Sequence, residues 1–302
     1  MKTYLNGQML DEDQALVSSQ DAGFQHAVGL FETMFATNGR VFRLEHHLTR
    51  LKRSATDLGL AADMDTVPLA EAVNQTLSAN ELKNARLRLT VTAGTLSMLR
   101  SSECDDALQV RQTICVQASE PTAFAPDYFN RGVRVRLYGQ AANPFDITAG
   151  HKTLNYWARL RSLRQAAASD CAEAVWLSVT NHLASGAVSN LFLIKGRELY
   201  TPIARGEEVP EALPAPVLPG VTRQAVIDAT ERMDIAVYRR MLTVEDLLDA
   251  DEVFLTNSNW KVLPVVAVEQ KDIGDGRVGP LTSGLREAVL SMVEDETAQS
   301  LK

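Results

Sequence analysis

The sequence predicts an α/β region followed by a larger, strand-rich and barrel-like α+β region. Three observations lead there. At 302 residues the chain passes the length of roughly 250–300 residues at which a single hydrophobic core usually stops growing, so two packed domains are expected. The first half mixes one strongly amphipathic helix with alternating strands. The second half is dominated by strand patterns punctuated by helices.

From Leu44 to Leu60 the apolar positions Leu44, Leu48, Leu51, Ala55 and Leu58 recur at helical spacing, with Arg43, Arg50, Lys52 and Arg53 around them. Residues 85–94 alternate Leu87, Leu89 and Val91 against Arg86, Arg88 and Thr90 until Gly94 ends the pattern, and 112–118 are again strand-like. Residues 119–131, with Pro121 and Pro126, follow a strand and lack a period, which makes them the candidate linker between a domain over 1–118 and one over 132–302. Beyond it come an alternating strand through Val133, Val135 and Leu137 and a helix from about Leu154 to Ala168. Strands are expected over Glu173–Val179, over Ser189–Thr201 with a break at Lys195 and Gly196, over Glu252–Thr256 and over Val262–Val268. Helices are expected near Val221–Met233, Val244–Asp249 and Thr282–Glu294. There is no internal repeat.

Composition narrows the function. With 45% hydrophobic and 23% charged residues the chain reads as ordinary globular protein, and a net charge of −8 lacks the basic stripe that phosphate backbones require. Small molecules, rather than nucleic acid or membrane, are the expected partners. Cys104, Cys115 and Cys171 form no CxxC pair and read as buried thiols in a reducing compartment. Met1–Asp11 carries no secretory pattern and no run of about 18 apolar residues occurs, so a cytoplasmic location is expected.

No GxGxxG, Walker, HExxH or GxSxG pattern is present. Lys152 stands out because it sits where a loop enters a predicted helix, a place where desolvation can turn a lysine into a Schiff-base former; a plain surface lysine is the ordinary alternative. Gly220, Val221 and Thr222 open a helix whose first N–H groups make a ready anion site, or simply an ordinary helix start. Arg50 can clamp a phosphate or belong to a solvated basic face.

Taken together and in order, these segments resemble the fold-type IV pyridoxal phosphate enzymes, the class IV aminotransferase and aminodeoxychorismate lyase family. The resemblance spans nearly the whole chain. It begins at Asp21–His26 and Gly29–Thr33, continues through Leu44–Leu51 with Arg50, His151–Tyr156 with Lys152, and Ser189–Phe192, and ends with Leu218–Arg223, Thr256–Ser258 and Gly279–Pro280. It implies a small N-terminal domain, a larger barrel-like C-terminal domain, a homodimer with active sites at the domain boundary, and pyridoxal 5'-phosphate as cofactor for a small amino substrate. Lys152 would carry the cofactor aldehyde and act as general base. Arg50, the Val221 and Thr222 N–H groups beside Gly220, and Ser258 would hold the phosphate. Tyr156 is a candidate partner for the ring hydroxyl, or a packed aromatic; Ser185 and Asn190 would pass the ring; Phe31, Glu32, Arg88 and Asn257 are substrate-side candidates. Glu32 is equally readable as a buried structural carboxylate, and Arg88 as an outward strand residue. No role is assigned to His26, His47 or His151.

Two departures stand out. The family's glutamate facing the pyridine nitrogen is replaced by Ser185, and Ala27 and Val28 precede Gly29 where Gly-Asp is usual. A neutral hydroxyl supplies no charge to keep the ring nitrogen protonated. That leans toward elimination, the release of pyruvate from 4-amino-4-deoxychorismate to give 4-aminobenzoate. A transaminase of D-amino acids, branched-chain amino acids or primary amines is the alternative, followed by a non-catalytic protein that binds the cofactor.

Overall fold

The computed structural model describes residues 1–95 and 112–298; Cys104 lies outside them. By its contacts the chain divides into two units: one of Met1–Pro121 with Lys152–Asn155 and the tail from Thr297, the other of Thr122–His151 and Tyr156–Glu296. The second unit is therefore interrupted by four residues that belong to the first, where the sequence reading ran 132–302 as one piece.

The first unit is a six-stranded sheet covered by helices. Its strands are β1 (Lys2–Leu5), β2 (Gln8–Asp11), β3 (Gly29–Thr37), β4 (Arg40–Val41), β5 (Ala85–Thr92) and β6 (Thr113–Ser119), in the order β2-β1-β6-β5-β3-β4 and antiparallel throughout. Two hairpins close on Asn6-Gly7 and Asn38-Gly39, where both residues of each turn have positive φ, as two-residue turns that match strand twist require. The helices are α1 (Ala22–His26), α2 (Leu44–Asp57) and α3 (Val67–Ala79). Asp21 caps α1 through Gly23 N–H, and Pro68 opens α3. Leu48, Leu51 and Ala55 of α2 and Leu69, Ala72, Val73 and Leu77 of α3 bury against Leu30, Met34, Leu87, Leu89 and Val91. The alternation of β5 thus places Leu87, Leu89 and Val91 under the helices and Arg86, Arg88 and Thr90 on the opposite face.

Because β4 pairs only with Ala36 and Thr37, the Gly29–Phe31 end of β3 has a free edge. The segment around Lys152 fills it: Phe31 N–H donates to Lys152 O, Leu154 N–H donates to Gly29 O, and Leu30 bridges Thr153. Backbone groups at that edge are satisfied by a segment over 120 positions away in the chain. Gly29 is needed there, since a Cβ would meet Val91 O and Leu154 Cδ1 at 2.8 Å. The helix expected from Leu154 therefore starts later, as α5 (Trp157–Ala167), and Lys152 lies in an extended segment rather than directly at a helix start.

The second unit opens with α4 (Asp127–Asn130) inside the expected linker, then β7 (Val133–Ala142) and α5. It continues with β8 (Glu173–Ser178), β9 (Leu183–Gly186), β10 (Asn190–Lys195), β11 (Glu198–Thr201), α6 (Val221–Arg232), β12 (Val237–Arg239), α7 (Val244–Leu248), β13 (Glu252–Asn257), β14 (Lys261–Val268), β15 (Lys271–Asp272) and α8 (Pro280–Thr297). Its mixed sheet runs β12-β11-β10-β13-β14-β7-β8-β9, with β15 on β14, and curls into a half-barrel. Leu191, Leu193, Val253, Leu255, Leu263 and Val265 alternate into one core. Strands β1 to β4, β9, β12 and β15 and helices α1, α3 and α4 are not marked by the period of the sequence. Among the described residues no helix is long and apolar enough to cross a membrane.

Candidate active site

In the first unit, the period of two along β3 sends Phe31 and Glu32 to opposite faces. Glu32 turns under α2 and is 1% exposed. Its Oε1 accepts from Arg50 Nε, and its Oε2 accepts from Arg50 Nη2 and lies 2.7 Å from His47 Nδ1. Burial alone would raise the Glu32 carboxyl, but the charge of Arg50 and the contacts with His47 outweigh it and hold the group at about 2. A carboxylate only accepts, so the His47 proton belongs on Nδ1, and burial keeps His47 below its usual value. Both Glu32 oxygens are engaged, so Glu32 is a support for Arg50 and not a substrate contact. Arg50 is likewise not part of a solvated face.

On the other face Lys152 Nζ lies 4.4 Å from the centre of the Phe31 ring, and the Arg88 guanidinium carbon lies 3.8 Å from it. Arg88 Nε donates to Thr90 Oγ1 at 3.3 Å. Phe31, Arg88 and Lys152 thus form one cluster: a primary amine, an apolar ring and a guanidinium able to meet a carboxylate.

In the second unit, α6 begins at Gly220 with no side-chain cap, and its first helical bond runs from Gln224 N–H to Gly220 O. The N–H groups of Val221 and Thr222 precede that bond and point out of the helix end. Gly220 has an ordinary φ of −68°; glycine is required because a Cβ would stand 2.0 Å from Asn190 Oδ1. Asn190 donates through Nδ2 to Leu218 O, so it shapes the approach to α6 instead of meeting a ligand with that amide. Beside it in the sheet, Thr256 Oγ1 is buried with no hydrogen-bond partner among the described residues.

Asn257, expected on the substrate side, is a bracket. Its Oδ1 accepts from Asn259 and Trp260 N–H and its Nδ2 donates to Val188 O, fixing the turn that carries Ser258. Ser185 is buried on β9, paired with Trp176 of β8. The turn after it is held by Glu173, which the sequence reading missed as a site residue. This carboxylate is fully buried and accepts from Ala174, Ala187 and Val188 N–H and Ser189 Oγ. Burial pushes its carboxyl up while these donors pull it back. Arg159 of α5 donates to the carbonyls of Gly186 and Ala187 and lies over the Trp176 ring. Tyr156 precedes α5, its ring 5.8 Å from the Arg159 guanidinium carbon.

These residues fit pyridoxal 5'-phosphate. Free amides at a helix start, a glycine that leaves the approach open and an orphaned threonine hydroxyl suit a phosphate monoester; a lysine beside an aromatic ring suits its aldehyde. In the second unit Val221, Thr222 and Ser258 are candidates to hold the phosphate; in the first, Arg50 is a candidate for the phosphate and Lys152 for the aldehyde. Thr256, the first residue of the Thr256–Ser258 segment, joins those of the second unit as a candidate because its hydroxyl is buried without a partner among the described residues. Among the described residues no group of three metal-ligating side chains occurs.

Known proteins resemble the chain along most of its length. A protein of Methanocaldococcus jannaschii provisionally named a branched-chain-amino-acid aminotransferase is 31% identical over 290 residues, 95% of this chain and 94% of its own. Aminodeoxychorismate lyase of Bacillus subtilis is 28% identical over 286 residues, 94% and 92% of the two chains. The branched-chain amino acid aminotransferase of Escherichia coli superposes with a TM-score of 0.85 at 25% identity, covering 99% of this chain and 97% of the other. The profile of the amino-transferase class IV family matches residues 29–268, most of the chain, and the chain belongs to that family.

Proposed function

We propose that this chain is a pyridoxal 5'-phosphate-dependent lyase that releases pyruvate from 4-amino-4-deoxychorismate and leaves 4-aminobenzoate. Ser185 carries the reading: a buried hydroxyl stands at the position where a carboxylate would keep the ring nitrogen protonated. Glu173, the buried carboxylate of the adjoining turn, is spent on four donors and does not replace it. The bound cofactor supplies an electron-accepting ring next to the substrate's amino-bearing carbon. Ser185 offers that ring a hydrogen bond without charge, which weakens its capacity to store an electron pair. Elimination passes the pair on to a leaving group, whereas amino transfer must hold it until a different carbon is protonated, so Ser185 favours elimination.

Lys152 takes the proton from the amino-bearing ring carbon as general base. The electron pair of that C–H bond closes the aromatic ring as the bond from the ring to the enolpyruvyl oxygen breaks, and the released enolate takes up one proton on carbon to become pyruvate. Arg88 faces a substrate carboxylate beside Phe31, and Arg50, held by Glu32, is the fixed cation for the phosphate. A cytoplasmic homodimer belongs to the same reading; Phe145, Ile147 and Trp157 of the second unit, 71%, 75% and 80% exposed, support a self-association face.

Amino transfer is the second reading, favoured by the name of the Methanocaldococcus jannaschii relative. The test supplies cofactor and 4-amino-4-deoxychorismate and assays pyruvate and 4-aminobenzoate, with Lys152→Ala as control. Equal amounts of both products, lost in the variant, are expected. Ser185→Glu is expected to lower that release and to speed conversion of the cofactor to its amine form by alanine or glutamate. Ready turnover of those amino donors by the wild type, with no 4-aminobenzoate, would sink the lyase reading in favour of the transaminase.

A further inference from the structure

Lys261 is a buried amine that the chemistry above does not use. It opens β14 with φ +61°, a conformation costly for any side chain other than glycine, yet the residue there is a lysine only 7% exposed. Its Nζ donates to the carbonyls of Ser258 at 3.0 Å and Asn259 at 3.3 Å. Arg286 of α8 works beside it, donating through Nη1 to Trp260 O and Val262 O. Four carbonyls of the turn, those of Ser258, Asn259, Trp260 and Val262, are thereby held on two cations, while Asn257 holds the N–H groups of Asn259 and Trp260. A turn gripped on its carbonyl side presents its remaining polar groups elsewhere, and the remaining group of interest is the Ser258 hydroxyl.

We propose that Lys261 is a positioning residue for the phosphate-side turn, fixing Ser258 for a phosphate monoester and making the affinity for that ligand depend on the lysine's charge. This deepens the cofactor reading and rests on it. Desolvation, with the adjacent charge of Arg286, pushes the Lys261 ammonium down to about 7. Other charged groups on neighbouring elements are occupied or outward. Glu252 of β13 accepts from Leu281 and Thr282 N–H, Asp127 of α4 pairs with Arg131, Arg136 of β7 donates to Ser169, and Arg134, Lys271 and Asp272 are exposed. A dianionic phosphate near the turn favours the charged lysine, so binding raises its value; affinity is then full below about 7 and declines as pH rises through the bound-state value.

The probe is pyridoxamine 5'-phosphate, which has no aldehyde and so forms no covalent bond with Lys152. Its dissociation constant is measured by equilibrium dialysis from pH 5.5 to 9 for wild type, Lys261→Arg and Lys261→Met, with thermal unfolding of each unliganded protein as the folding control. Titration of the phosphate itself is common to all three and cancels in ratios. Lys261→Met is expected to bind roughly tenfold more weakly than wild type at pH 6 for each unit by which phosphate raises the lysine, the gap closing toward pH 9. Lys261→Arg, charged throughout, is expected to keep its affinity where wild type declines. A ratio of wild type to Lys261→Arg that stays constant across this range would overturn the proposal, even if the methionine variant fails to fold. No binding by wild type and Lys261→Arg alike would overturn the cofactor reading and this inference with it.

Discussion

Glu32 stays charged while fully enclosed beneath α2 because Arg50 and His47 replace the water it has lost. A carboxyl held below its ordinary 4.5 stabilises the fold at neutral pH, and that contribution fades as pH falls toward about 2. Glu32→Gln is therefore expected to cost about 3 kcal/mol at pH 7, with the deficit shrinking as pH drops from 4.5 toward 2; denaturant titrations of both proteins at several pH values read it directly. A deficit that is the same at pH 3 and pH 7 would contradict the ion-pair account. Lys152 and Arg50 could be picked out in the sequence because short ordered motifs surround them. Glu32 could not be resolved, since its role depends on which face of β3 meets α2. Glu173 and Lys261 gave no local signal, because their partners are backbone groups whose placement depends on turns.

Elements were most legible where one face is buried and the other is wet. Helix α2 and strand β5 declared themselves by period, while α3, whose stripe is interrupted by polar residues, and the short strands β1 and β2 did not, although Asn6-Gly7 is a hairpin signal that was open to reading. The start of α6 was legible as a helix start; the reason for glycine at 220 was not, because it comes from the Asn190 side chain lying where a Cβ would go. Gly220→Ala is expected to weaken binding of pyridoxamine 5'-phosphate at least tenfold, while the midpoint of thermal unfolding falls by only a few degrees. Calorimetric titration and a melting curve on the same preparation separate the two effects, and unchanged affinity would show that the α6 start does not receive the phosphate.

The chain's surface carries one consequence for assembly. With Trp157, Phe145 and Ile147 exposed on the second unit, sedimentation velocity is expected to give a dimer, and Trp157→Asp to shift it toward monomer without lowering the melting temperature; a wild-type monomer at micromolar concentration would remove the proposed homodimer. By itself the sequence determined the family and the alternation of core positions, because these rest on residues close together in the chain and on the periods of helix and strand. Only the tertiary structure decided that Lys152 lies extended along β3, that Glu32 serves Arg50, that Asn257 and Glu173 brace turns, and that Lys261 is buried behind Ser258. The first three are set by hydrogen bonds between groups distant in sequence and the last by burial of the turn in the folded unit, and neither leaves a local pattern in the order of residues.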